Sequence, residues 1–147
     1  NLKSFDKNDI FVLLQPTSPI RNKKDIEKAV NFLKNNYQVD SVFSISRSFD
    51  LVPARLYKSS KNSDNFHWIE SLQPENESKR RQDLPAYYFR TGSIYAVRLE
   101  ALIKEKTFIT KKKVGLISSE NIFLNIDTEL DALIAPYLIK KWKTQML

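Results

Sequence analysis

Two short polar segments carry side chains that could bind or activate a ligand. The first, QPTSP, follows the apolar residues 10–14 and contains the Gln15 amide and the Thr17 hydroxyl. The second, NIDTE, places Asp127 after another apolar run and before a helical pattern. One carboxylate held there suits Mg²⁺, which keeps most of its waters and takes one or two carboxylates plus phosphate oxygens. Asp is also an ordinary residue at a helix entry, so the pattern alone leaves both interpretations open.

A third segment, residues 79–95 (KRRQDLPAYYFRTGSIY), combines cationic and aromatic side chains. Arginine forks such as those of Arg81 and Arg90 bind carboxylates and phosphates bidentately, and Gln82 adds an amide beside them. Basic residues interleaved with aromatic residues are also typical of a platform for single-stranded nucleic acid. The segment therefore indicates an anionic ligand and leaves its class open.

The composition limits the class of protein. The chain has 147 residues, a net charge of +7, two glycines and no cysteine. This length is typical of one domain, and the charge favours anionic partners. Two glycines exclude the glycine-rich phosphate loops, and the absence of cysteine excludes disulfides and thiolate chemistry. No apolar run reaches the roughly 20 residues that span a bilayer, so we expect a cytoplasmic protein without membrane contact.

The elements that would position these side chains are of the α/β class. Residues 10–14 and 39–46 have the apolar, branched composition of strands covered on both faces, as in a parallel sheet. Between them, Asn22 can cap a helix that ends near residues 35–36. A strand, a helix and a strand of these lengths form a right-handed crossover unit.

The rest of the chain is predicted to add further strands and helices to the α/β core, apart from one segment that leaves the core. Residues 47–90 mix polar pieces with short aromatic segments, which predicts an arm with a small hairpin. Strands are expected at residues 93–97, 114–118 and 122–126, and a short helix at residues 99–106. Thr128 with Asp131 forms a capping box that starts the last helix, and Pro136 should kink or interrupt that helix.

Three motifs, LLQPTSPIR, RRQDLPAYYFRTGSIY and NIDTELD, resemble in order and spacing those of the acylneuraminate cytidylyltransferase family. The resemblance runs from about Asp9 to Leu133. It implies a three-layer α/β fold with a mostly parallel sheet of the nucleotide-diphospho-sugar transferase type and a protruding arm. Residues 1–147 would then be one partial domain, with residues 50–90 as an arm for dimerisation and sugar contact.

The family activity is the transfer of CMP from CTP to an acidic nine-carbon sugar such as N-acetylneuraminate, legionaminate or pseudaminate, releasing pyrophosphate with Mg²⁺. The resemblance implies a homodimer and no nucleic-acid partner. It assigns catalysis to Asp127 and Arg81, and Mg²⁺ binding to Asp127 and Asn125. It assigns substrate binding to six residues: Gln15, Thr17, Arg21, Gln82, Arg90 and Gly92.

The chain departs from the family pattern in three places. Asn125 replaces the first carboxylate of the family motif DIDTE, and an amide oxygen binds a hard cation more weakly than a carboxylate. Thr91-Gly92-Ser93 stands where the family has Asn-Gly-Ala. The arginine- and glycine-containing loop with which the family begins has no counterpart here, so we expect an N-terminally truncated chain. A non-catalytic module that binds acidic sugars or mediates dimerisation is therefore the alternative function.

Overall fold

The computed structural model describes residues 6–61 and 66–145. They form two compact units, one built from residues 6–46 and 90–145 and the other from Arg47–Phe89. No helix in the described part of the chain is long and apolar enough to cross a membrane.

The first unit contains a mixed four-stranded sheet in the order β1-β5-β2-β6. Its strands are β1 (Ile10–Leu13), β2 (Ser41–Ser48), β5 (Tyr87–Arg98) and β6 (Lys113–Ile117). Strand β5 pairs antiparallel with β1, in a register that sets Val12 opposite Ala96, and β2 pairs parallel with β6. The predicted α/β class is confirmed. The described neighbour of β1 is the antiparallel β5, however, and not the parallel strand that the apolar sequence of β1 suggested.

Helix α1 (Lys23–Asn35) covers this sheet as the capping pattern predicted. The Asn22 side chain accepts a hydrogen bond from the Lys24 backbone N–H at 2.9 Å, which satisfies one of the free donors of the first turn. At the other end, the Arg98 guanidinium donates to the carbonyl oxygens of Leu33 and Asn36. A cation at that position also favours the negative end of the helix dipole.

Two apolar clusters hold the first unit together. Helix α1 and the sheet share one cluster, formed by the buried residues Ala29, Leu33, Val42, Ile94 and Ala96. The second cluster joins the turn after β1 to the last helix, α3 (Glu129–Gln145), through Ile20, Leu124 and Ala135. The second cluster therefore packs the residue that follows QPTSP and the residue that precedes NIDTE against the same helix.

The C-terminal region differs from the prediction in two ways. Residues 122–126 form no strand, because their apolar side chains Ile122, Leu124 and Ile126 pack with α3 instead of extending a ladder. The capping box is confirmed, since Thr128 Oγ1 accepts from the Asp131 N–H at 3.2 Å and Asp131 Oδ2 accepts from the Thr128 N–H at 2.8 Å. Pro136 does not interrupt α3, which is continuous through it.

The remaining elements are short. Helix α2 (Leu99–Glu105) follows β5 directly, as predicted. In the second unit, β3 (Tyr57–Lys61) and β4 (His67–Ser71) pair antiparallel and confirm the predicted hairpin. Three single-turn 3-10 helices, Pro53–Arg55, Pro74–Asn76 and Arg81–Asp83, complete this unit.

Candidate functional site

A polar pocket of about 360 Å³ lies in the first unit. It is lined by the turn after β1, the middle of β5 and the segment before α3. The lining residues are Gln15, Thr17, Ser18, Arg90, Gly92, Tyr95, Asn125 and Asp127. All three motifs that carry the family resemblance therefore contribute to one pocket, although they are far apart in the sequence.

The QPTSP turn is held by hydrogen bonds to its own backbone. The Ser18 N–H donates to the Gln15 carbonyl at 3.1 Å, which closes the turn. Arg21 Nη2 then donates to the carbonyl oxygens of Gln15 and Ser18 at 2.7 and 2.8 Å. Burial lowers the pKa of the Arg21 guanidinium from its ordinary value, but an arginine remains charged. Arg21 thus supports the turn from within, and its predicted contact with a substrate stays a prediction.

The turn is also tied to the segment that carries Asp127. The Ile126 N–H donates to the Thr17 carbonyl oxygen at 2.9 Å. Asp127 itself is exposed at the pocket, and its backbone N–H donates to Asp131 Oδ2 at 3.1 Å. The capping residues of α3 therefore fix the backbone that presents the Asp127 carboxylate.

Gly92 occupies a position that only glycine fits. Its φ of +79° lies in the left-handed region, which side chains with a Cβ rarely adopt. A Cβ placed on Gly92 would lie 2.7 Å from Ser18 Oγ and 3.1 Å from Gln15 Oε1. The missing side chain leaves the space in which the polar groups of the turn approach β5.

Asn125 reaches across the same space. In the orientation that satisfies its hydrogen bonds, its amide nitrogen donates to Ser18 Oγ at 2.6 Å and to the Thr91 carbonyl oxygen at 3.0 Å. The opposite orientation would set the amide oxygen against the carbonyl oxygen of Thr91, and two acceptors would then face each other. The Thr91 hydroxyl lies elsewhere, in a buried cluster with Ser44 and Ser93.

The pocket offers Mg²⁺ a small number of protein ligands. Within residues 6–61 and 66–145, no three His, Asp or Glu side chains come together as a metal site. Asp127 supplies one carboxylate and Asn125 one amide oxygen at the pocket. Mg²⁺ needs no more than this from a protein when waters and substrate phosphates complete its coordination.

Two predicted site residues, Arg81 and Gln82, belong to the second unit. The Arg81 guanidinium lies 5.4 Å from the ring centre of Phe49 and 3.4 Å from Asp50 Oδ1. The Arg47 guanidinium contacts the same ring at 5.3 Å. The roles of Arg81 and Gln82 toward a substrate stay predictions.

The pocket contains two residues that the sequence did not assign, Ser18 and Tyr95. Ser18 lies within the QPTSP motif, and the sequence of that motif does not indicate which of its two hydroxyls faces inward. Ser18 is 2% exposed, whereas Thr17 is exposed. Tyr95 lies in the segment TGSIY, and its place in that motif was the one feature of the sequence that could have indicated a position at the pocket.

Comparisons with known proteins agree with these motifs. The N-acylneuraminate cytidylyltransferase of Streptococcus agalactiae serotype V is 30% identical over 130 residues, which are 88% of this chain and 30% of that protein. The CMP-N,N'-diacetyllegionaminic acid synthase of Legionella pneumophila is 31% identical over 144 residues, covering 88% of this chain and 55% of that protein. The post-translational flagellin modification protein B of Campylobacter coli is 27% identical over 143 residues, covering 93% and 55%.

No protein-family model matches the chain. The chain spans 30% of the length of the streptococcal relative and 55% of that of the Legionella relative. Even so, the match to the streptococcal cytidylyltransferase and the match to the Legionella synthase each cover 88% of this chain. Over most of its own length, the chain is therefore similar to the acylneuraminate cytidylyltransferases.

Proposed function

We propose that this chain provides the sugar-binding part of an enzyme that transfers CMP from CTP to a nonulosonic acid of the sialic, legionaminic or pseudaminic type. The observation that carries the proposal is the convergence of Gln15, Gly92 and Asp127, one from each motif, in a single polar pocket. The names of the relatives support cytidylyl transfer to sugars of this class.

The residues of the pocket have the chemistry that the reaction needs on the sugar side. The Arg90 guanidinium offers a bidentate partner for a carboxylate. The Gln15 amide can donate to and accept from sugar hydroxyls, and Gly92 lets the ligand approach the backbone of β5. Positioning and electrostatic stabilisation of this kind supply most of the catalysis in phosphoryl and nucleotidyl transfer.

Asp127, with the amide oxygen of Asn125, would hold a Mg²⁺ ion in this pocket. The ion, when bound, would neutralise charge on the triphosphate and its leaving pyrophosphate. In this proposal, Arg81 and Gln82 bind the acidic sugar, and the arm of residues 50–90 supports a homodimer in the cytoplasm.

Pyrophosphate release tests the proposal. The chain is incubated with CTP, Mg²⁺ and each of the three acidic sugars, alone and together with the part of the Legionella relative that this chain does not match. We expect turnover in at least one of these mixtures. Asp127→Ala should abolish it, and Glu129→Ala, which removes a nearby carboxylate that does not line the pocket, should preserve it. Absence of pyrophosphate from every mixture contradicts the proposed reaction.

One observation favours a second candidate, a module that binds acidic sugars without nucleotide chemistry. Asn125 replaces a family carboxylate, so the pocket offers Mg²⁺ only one charged ligand. This candidate predicts sugar binding that is independent of Mg²⁺ and unchanged by Asp127→Ala. Calorimetry with N-acetylneuraminic acid, with and without Mg²⁺, separates the two functions.

A further inference from the structure

Ser18 has an unusual combination of burial and contacts for a residue at a polar pocket. Its side chain is 2% exposed, yet its hydroxyl oxygen lies 2.6 Å from the amide of Asn125, an exposed residue 107 positions away in the sequence. A buried polar atom that loses its hydrogen-bond partner is costly, so this contact is strongly favoured in the folded chain. Asn125 is thus anchored at one end by a group that solvent hardly reaches.

The anchor fixes which end of the carboxamide faces the pocket. Ser18 Oγ can either donate or accept, but the Thr91 carbonyl oxygen, 3.0 Å from the same amide atom, can only accept. That amide atom must therefore be the nitrogen. The carboxamide oxygen of Asn125, a residue that lines the pocket together with Asp127, is then the end that these contacts leave free to meet a ligand.

Gly92 makes this arrangement possible. A Cβ at position 92 would lie 2.7 Å from Ser18 Oγ and 3.2 Å from the anchored amide atom of Asn125. The hydrogen bond between the turn and the Asn125 segment passes through space that any other residue at position 92 would occupy.

We infer that Ser18 is a positioning residue of this pocket: its buried hydroxyl holds the Asn125 carboxamide in the orientation that the Thr91 carbonyl sets, with the carboxamide oxygen toward the ligand. The inference rests on the proposed function, since the ligand is the acidic sugar of that proposal. When no Mg²⁺ occupies this oxygen, a fixed acceptor at this point selects a ligand that donates a hydrogen bond, such as a sugar hydroxyl or an acylamino N–H. A carboxylate at position 125 could not be held in the same way, because it has no donor for the Thr91 carbonyl.

Nuclear magnetic resonance of the side-chain amides tests this positioning without any ligand. The Asn125 NH₂ signals are assigned from their disappearance in Asn125→Ser. We expect the wild-type protons to exchange slowly with water, and Ser18→Ala to speed that exchange by at least about fivefold, the factor that one ordinary hydrogen bond corresponds to. Ser41→Ala is the matched control, because it removes another buried serine hydroxyl, 2.8 Å from Thr110 Oγ1 and outside the pocket. It should leave the Asn125 signals unchanged.

Ser18→Cys provides a second variant of similar size whose thiol is a weak acceptor, in case Ser18→Ala does not fold. Unchanged Asn125 signals in the folded Ser18 variant would overturn the inference. The same spectra are then recorded with N-acetylneuraminic acid, whose affinity we expect Ser18→Ala to weaken by about fivefold and Ser41→Ala to leave unchanged. The Asn125 amide exchange can respond to Ser18→Ala while no acidic sugar changes the spectra. That outcome supports the positioning role of Ser18 and contradicts the proposed function.

Discussion

Replacing Gly92 with alanine should both destabilise the fold and place a methyl group in the space between the side chains that line the pocket. The φ of +79° at this position costs a residue with a Cβ about 1 to 2 kcal/mol. The new methyl group would also lie 2.7 Å from the buried Ser18 Oγ, and overpacking of that kind typically costs about 1 to 3 kcal/mol. We therefore expect Gly92→Ala to lower the free energy of unfolding by roughly 2 to 5 kcal/mol.

The two contributions to this loss can be separated by a double-mutant cycle with Ser18→Ala. Removing Ser18 Oγ relieves the closest contact but not the backbone strain, so Gly92→Ala should cost roughly 1 to 2 kcal/mol less in the Ser18→Ala background. Urea unfolding with a common m value measures all four variants. Gly115→Ala is the matched control for the backbone strain, because its Cβ would also crowd a side chain, at Cδ1, Cγ1 and Cγ2 of Ile45 in β2, but without positive φ.

Two results would refute this reasoning. A Gly92→Ala protein within about 0.5 kcal/mol of the wild type would show that neither the strain nor the contact exists as described. Strictly additive effects of Gly92→Ala and Ser18→Ala would show that the two groups do not meet.

Three further substitutions test contacts that hold the site. The Thr128 hydroxyl and the N–H groups of Asp127 and Thr128 lower the pKa of Asp131. The stability that the Asp131 carboxylate contributes is therefore present above about pH 4 and is lost as the pH falls through the folded pKa. The difference in melting temperature between the wild type and Asp131→Asn should shrink over the same range. Arg21→Ala removes the side-chain donor to the Gln15 and Ser18 carbonyls, although the Ser18 N–H still donates to Gln15, and it should cost roughly 2 kcal/mol in urea unfolding. Asp25→Ala removes the buried acceptor of the Ser119 N–H and hydroxyl and should cost roughly 3 kcal/mol by the same measurement.

Features that depend on neighbouring residues were predictable from the sequence. The caps of α1 and α3 follow from Asn22 and from Thr128 with Asp131, because each cap is a hydrogen bond within three residues. The hairpin of β3 and β4 was expected for a similar reason. Local chemistry decides such elements before the rest of the chain is in place.

Features that depend on contacts between residues far apart in the chain could not be predicted from the sequence. Residues 122–126 have a strand-like sequence, but their side chains pack with α3 and the Ile126 N–H bonds to the QPTSP turn, so no ladder forms. The antiparallel direction of β5 and its place beside β1 could not be deduced from its composition. The contact of Asn125 with the Thr91 carbonyl is of the same kind, since the amide donor and its acceptor are brought together only by the fold.

The charges in the pocket indicate which part of the reaction the described site can serve. Among the side chains that line the pocket in the described part of the chain, Arg90 is the one cation and Asp127 the one carboxylate. A guanidinium matches the single carboxylate of an acidic sugar, whereas a triphosphate needs several positive groups or a metal ion to bind tightly. Replacing a family carboxylate with Asn125 removes one negative charge, which favours the sugar anion and weakens the hold on Mg²⁺. Under the proposed function, the pocket would therefore bind the sugar, and binding of the nucleotide would require cationic groups beyond those that line it.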